Sequence, residues 1–192
     1  MRFSISPGAV LLISAVYFAA GAKAVLAIII SVCVHELGHA AAIKLFGGRV
    51  ISVRFDSSGL CITGAGVEPG VKELVVLLCG PMLGLAFAAV CARYPENEFA
   101  ALLAITGFVL TAYNLLPAYP LDGGRMVYAM LREHLNGKMC ENIMYCLGLL
   151  AGTALAACGL ASMTKNYGAA LLVAGIWLLI AQTGIVKSMR LL

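Results

Sequence analysis

Residues 24–46 read AVLAIIISVCVHELGHAAAIKLF. The run is almost wholly apolar and exceeds the roughly 20 residues needed to cross a bilayer as a helix. Two histidines and a glutamate nevertheless stand near its middle, and ionisable side chains are expensive in lipid. The whole chain is biased the same way. Of its 192 residues, 62% are hydrophobic and only 11% charged, and the mean hydropathy is +0.99. Soluble domains run nearer 45–50% apolar and about 25% charged. A soluble fold would have nowhere to hide this much apolar surface, so the chain is expected to be an integral membrane protein.

Five further stretches are suited to crossing, namely Pro7–Ala22, Val71–Arg93, Glu98–Leu116, Glu141–Met163 and Gly168–Arg190. None alternates strictly between apolar and polar residues, so a β-barrel is not expected. The expected fold is an all-α bundle of six transmembrane helices in one domain over residues 1–192, with no additional soluble domain. The turn between the first two spans is short, about Gly21–Lys23. Arg2 and the segment AAGAKA loosely fit a cleaved leader, but a second span follows at once, which suits a packed bundle better. Seven cysteines form no C-x-x-C pair, and no disulfide framework is expected.

Basic residues gather in short cytoplasmic loops. With six spans and the N-terminus inside, ten of the 13 Lys and Arg residues fall inside, among them Arg2, Lys44, Arg49, Arg54, Lys72, Arg125, Arg132 and Lys138. Lys23, Arg93 and Lys165 fall outside. Both termini are therefore expected in the cytoplasm of a multi-pass cell-membrane protein. The net charge of +4 then reflects orientation. No basic patch with interleaved aromatics points to nucleic acid.

His35-Glu36-Leu37-Gly38-His39 is an H-E-x-x-H motif. Residues four apart share a helix face, so His35 and His39 can hold one metal ion. Imidazole suits Zn²⁺. Glu36, one step round, can flank a water that the metal acidifies and take its proton. The alternative is a pair of buried histidines bonded to neighbouring helices, with an incidental glutamate. Cys33 lies about 200° round the helix from His35, which makes it a poor co-ligand.

A catalytic zinc takes three protein ligands and keeps an open position. The candidate acids are Asp56, Glu68, Glu73, Glu96, Glu98 and Asp122. The stretch NLLPAYPLDGGRM, residues 114–126, favours Asp122. Pro117 and Pro120 break the fourth span before it, and Gly123-Gly124 permit tight backbone after it. His39 lies about 10 Å from the inner end of its span at 1.5 Å per residue, and Asp122 sits at the inner end of a span of the same direction. The simpler alternative for Asp122 is a turn cap.

The pairing of intramembrane HELGH with a downstream N-x-x-P-x-x-P-L-D-G-G resembles the site-2 protease family of intramembrane zinc metalloproteases. The six-span layout resembles its sporulation-type bacterial branch. The resemblance implies that His35, His39 and Asp122 hold one Zn²⁺ near the cytoplasmic side and that Glu36 is the catalytic base. It implies cleavage of a membrane-associated substrate such as a transcription-factor precursor. Any regulation is expected to come through the bundle or a membrane partner. Asn114 matches a family asparagine that holds substrate or the developing oxyanion; an interhelical hydrogen bond is the other reading. The family often has Asn three residues after a Gly-Pro pair. Here Gly80-Pro81 is followed by Gly84, for which close helix packing is the preferred reading.

Residues 49–63, RVISVRFDSSGLCIT, read as a β-hairpin with a turn at Asp56–Gly59, where the family has a small sheet; a plain interfacial loop is the other reading. A free strand edge suits a substrate held extended. His134 falls in an inner loop and is expected to be interfacial. Two rival functions use the same ligands. A metal transporter would need polar residues along a through-route, which the outer halves of the spans lack. A non-catalytic zinc-binding membrane protein would have no need of Glu36.

Overall fold

A computed structural model of the protein describes residues 2–5, 7–56, 59–163 and 168–189. Ser57 and Ser58 of the expected turn, Lys165, and Arg190 at the expected end of the last span lie outside the described residues. The backbone groups into two compact units, Met1–Asn114 and Leu115–Leu192.

The first unit opens with β1 (Arg2–Ile5) and α1 (Pro7–Leu45). As one straight rod the 39 residues of α1 would extend about 58 Å at 1.5 Å per residue. Yet β1, just before it, pairs in parallel with β2 (Arg49–Asp56), just after it, with Phe3 opposite Val53. The two ends of α1 therefore lie side by side, so the helix doubles back. The break is Gly21, whose φ of 80° and ψ of 175° are non-helical and belong to a region that only glycine enters readily. The expected turn between the first two spans thus falls at this glycine.

The returning arm ends in a Schellman cap. Gly48 N–H donates to the Ile43 carbonyl at 2.8 Å and Gly47 N–H to Lys44 at 3.0 Å, with Gly47 at a φ of 76°. The chain then enters β2 and β3 (Gly59–Ala65), which pair antiparallel with Val53 opposite Ile62 and a register shift between Val50 and Ser52. The expected hairpin is present, but it belongs to a three-stranded sheet of order β1-β2-β3. The added strand, RFSI, is too short to announce itself by alternation.

Two more helices complete this unit, α2 (Val71–Cys91) and α3 (Glu98–Asn114). Asn97 caps α3, its Oδ1 accepting from Phe99 N–H and Ala100 N–H at 3.0 Å, as Asn does at helix starts. Ala27, Cys91, Leu103 and Ala104 form one buried cluster. Ala42, Ile43 and Val76 form another, with Val50 and Ile62 of the sheet packed on it. Gly38 and Gly80 let α1 and α2 meet backbone to backbone, since a Cβ on Gly38 would strike the Cys79 carbonyl.

The second unit holds α4 (Asp122–Leu131), α5 (Gly137–Met163) and α6 (Ala169–Met189). The sequence pattern treats residues 117–140 as one inner connection, whereas ten of them form α4. The α5–α6 pair packs through small residues. A side chain on Gly152 would press into Leu179, and one on Gly175 into the backbone at Ala156, the close approach that Gly permits in membrane bundles.

Among the described residues, three helices are long and apolar enough to cross a membrane, Ala20–Leu45, Val71–Cys91 and Gly137–Met163. Glu98–Asn114 and Ala169–Gln182 are shorter apolar helices. The outer surface is apolar, with Phe18, Leu45, Val71 and Leu150 among its exposed side chains. The buried set instead includes Ser31, His35, His39, Thr111, Asp122 and Gln182.

Candidate metal centre

His35 and His39 sit one turn apart on the returning arm of α1, 2% and 6% exposed. Their Nε2 atoms approach to 3.3 Å, and their rings meet edge to face with centroids 5.0 Å apart. Two imidazole nitrogens on a tetrahedral zinc at about 2.0–2.1 Å stand roughly 3.3–3.4 Å from each other. The pair is thus spaced as zinc would require.

His39 Nδ1 lies 2.8 Å from the Val76 carbonyl on α2. A carbonyl only accepts, so Nδ1 carries the proton and Nε2 keeps its lone pair for a metal. This is the outer hydrogen bond that orients metal-binding histidines. The bond is possible because Gly80 stands against the ring. A Cβ at position 80 would land on His39 Nε2.

Glu36 is half-buried beside the pair. Cys33 is exposed, in keeping with its place on another face of the helix. Gly84 borders His35. A Cβ there would lie 3.1 Å from Thr111 Oγ1 and 3.5 Å from His35 Nδ1. Position 84 therefore abuts His35 as well as serving helix packing. Thr111, which the sequence pattern did not single out, is 3% exposed, and its hydroxyl has no hydrogen-bond partner among the described residues.

Asp122 is the first residue of α4 and 6% exposed. Arg125 Nη1 lies 3.7 Å from its Oδ1. The D-G-G sequence has a steric reason. A Cβ on Gly123 would strike the Leu115 carbonyl, and one on Gly124 the backbone at Ala118 and Tyr119. Both glycines let the first turn of α4 press onto the preceding segment.

His35 and His39 in the first unit and Asp122 in the second are each buried. Two imidazole nitrogens and a carboxylate oxygen match the three-ligand donor set of catalytic zinc, so these residues fit the ion. Asn114 ends α3, and its Nδ2 donates to the Leu110 carbonyl at 3.0 Å within its own helix. His134 is exposed.

Gln182, also absent from the sequence reading, is 1% exposed. Its Nε2 donates to the Tyr119 carbonyl at 2.6 Å. A lone amide in an otherwise apolar helix was the signal that would have found it.

A profile of the Peptidase M50B-like family matches residues 8–131. Stage IV sporulation protein FB of Bacillus subtilis is 32% identical over 124 residues, covering 59% of this chain and 42% of that protein. A zinc metalloprotease of Methanocaldococcus jannaschii is 28% identical over 144 residues, covering 64% of this chain and 41% of its own length. The chain thus spans less than half the length of these curated relatives. A solved site-2 protease from Methanocaldococcus jannaschii shares the fold, with a TM-score of 0.74 and 19% identity over 96% of this chain and 91% of that one. With HELGH and the D-G-G turn both inside the matched residues, the chain belongs to the Peptidase M50B-like family.

Proposed function

We propose that this chain is a zinc-dependent intramembrane endopeptidase that cuts a peptide bond in or beside a transmembrane segment of a membrane-associated substrate. The observation that carries the reading is the buried convergence of His35 and His39 Nε2 at 3.3 Å in a chain whose surface is apolar. In this reading His35, His39 and Asp122 hold one Zn²⁺. When bound, the ion supplies a Lewis acid for the scissile carbonyl and lowers the pKa of a water.

The chain's own residues do the rest. Glu36 takes the proton of the attacking water and passes it to the leaving nitrogen. Val76 holds the His39 ring in one tautomer through its carbonyl. The free edge of the sheet can pair with an unwound substrate segment, whose carbonyls a helix would otherwise hide. Six apolar stretches together with the distribution of basic residues support six spans, cytoplasmic termini and a site near the cytoplasmic side. The relationship to a sporulation protein makes a transcription-factor precursor the substrate class to try first.

The test is Glu36→Gln in the full chain, co-expressed with membrane-tethered candidates. Zinc content is expected to stay at one ion per chain while cleavage falls by about 10²–10⁴-fold. Cleavage near the wild-type rate would remove Glu36 from the reaction. Uptake of zinc into liposomes without any proteolysis would favour the transporter instead.

A further inference from the structure

We propose that Gln182 is a positioning residue for the metal centre, acting from α6 through the backbone that leads into Asp122. The proposal rests on the reading of Asp122 as a metal ligand.

The Tyr119 carbonyl precedes Pro120, in the bend ahead of α4. The intrahelical bonds of α4 begin later, with Arg125 N–H donating to the Leu121 carbonyl at 2.9 Å. In an apolar interior a carbonyl left outside the helix needs a donor from elsewhere. The Gln182 amide provides it, with one N–H on Tyr119 at 2.6 Å and the Leu178 carbonyl of its own helix at 3.4 Å. The amide is nearly fully enclosed. Its enclosure is built for it, because any side chain on Gly148 of α5 would overlap the Gln182 amide carbon and oxygen.

From Tyr119 to Asp122 there is little slack. Leu121 N–H donates to the Ala118 carbonyl at 2.9 Å, and the Gly124 backbone sits against Ala118 and Tyr119. Fixing the Tyr119 carbonyl therefore fixes the first turn of α4 and the carboxylate on it. Gln182 never needs to reach the metal to do this. Groups that orient metal ligands from behind typically change metal affinity 10–100-fold when lost.

The experiment compares wild type, Q182M, G148A, the double variant and D122A as purified full-length protein in detergent. Zn²⁺ affinity is measured by chelator competition, and the visible absorption of the Co²⁺-loaded protein is recorded. Met matches Gln in length but cannot donate. Ala at 148 pushes the amide out while leaving Gln182 in place. Each single variant is expected to weaken Zn²⁺ binding about tenfold or more and to shift the Co²⁺ bands. The double variant is expected to be no worse than either single one, since both break the same bond.

If affinity and cobalt bands stay at wild-type values in Q182M and G148A while D122A weakens binding, Gln182 only packs and the proposal is overturned. A lower thermal midpoint with affinity and bands retained overturns it equally. If D122A itself binds as wild type does, the ligand set fails first, and this proposal falls with it for that distinct reason.

Discussion

At the scale of single residues, two glycines on α2 make opposite demands. Gly80 has the His39 ring where its side chain would be, whereas Gly84 leaves ordinary to slightly tight contact distances to Thr111 and His35. Gly80→Ala should therefore rotate or displace His39, break its bond to Val76, and weaken zinc binding about 10–100-fold. Gly84→Ala should be accommodated by a shift of a few tenths of an ångström at the Thr111 hydroxyl, with zinc affinity within about threefold of wild type. Metal competition on both proteins checks the contrast, and equal losses would mean that crowding of α2, not the His39 ring, is what matters. The histidines and Glu36 were legible because their chemistry is written in spacing. Gly80, Thr111 and Gln182 were not, because their roles depend on which helix stands opposite, and one sequence does not say so.

At the scale of elements, hydropathy and breakers marked most helices but not their company. Gly21 was visible as a turn between two apolar runs, and the structure gives it a conformation that non-glycine residues enter at a cost of about 1–3 kcal/mol. Among the described residues, no atom beyond its chain neighbours lies within 4 Å of a Cβ built there, so the penalty of Gly21→Ala is conformational, not steric. That variant is expected to lower the thermal midpoint in detergent by a few degrees while zinc affinity stays unchanged, because the histidines lie more than three turns away along the helix. A parallel loss of metal would show that the hairpin sets the histidine geometry. The β2–β3 hairpin was readable from its alternation. β1 escaped because four residues carry no period, and its pairing with β2 depends on the fold-back at Gly21. Helix α4 escaped because Pro117 and Pro120 signal a break and give no sign that a helix resumes at Asp122.

At the scale of the whole molecule, the arrangement inverts that of a soluble enzyme. Apolar side chains face outward, and the polar ones that matter are buried. Burying imidazoles and a carboxylate is unfavourable unless they are paired or bound to a metal. An ion held by His35, His39 and Asp122 would convert that liability into stability, because a ligand that binds only the folded state stabilises it by mass action. Zinc at a hundred times its dissociation constant should add about 2.7 kcal/mol. Chelation of purified protein is thus expected to lower its thermal midpoint and abolish cleavage, and returning Zn²⁺ should restore both. A His35→Ala, His39→Ala double variant should show no response of its midpoint to zinc. If the double variant were stabilised as strongly as wild type, the ion would be binding elsewhere, and the buried pair on α1 would need another explanation.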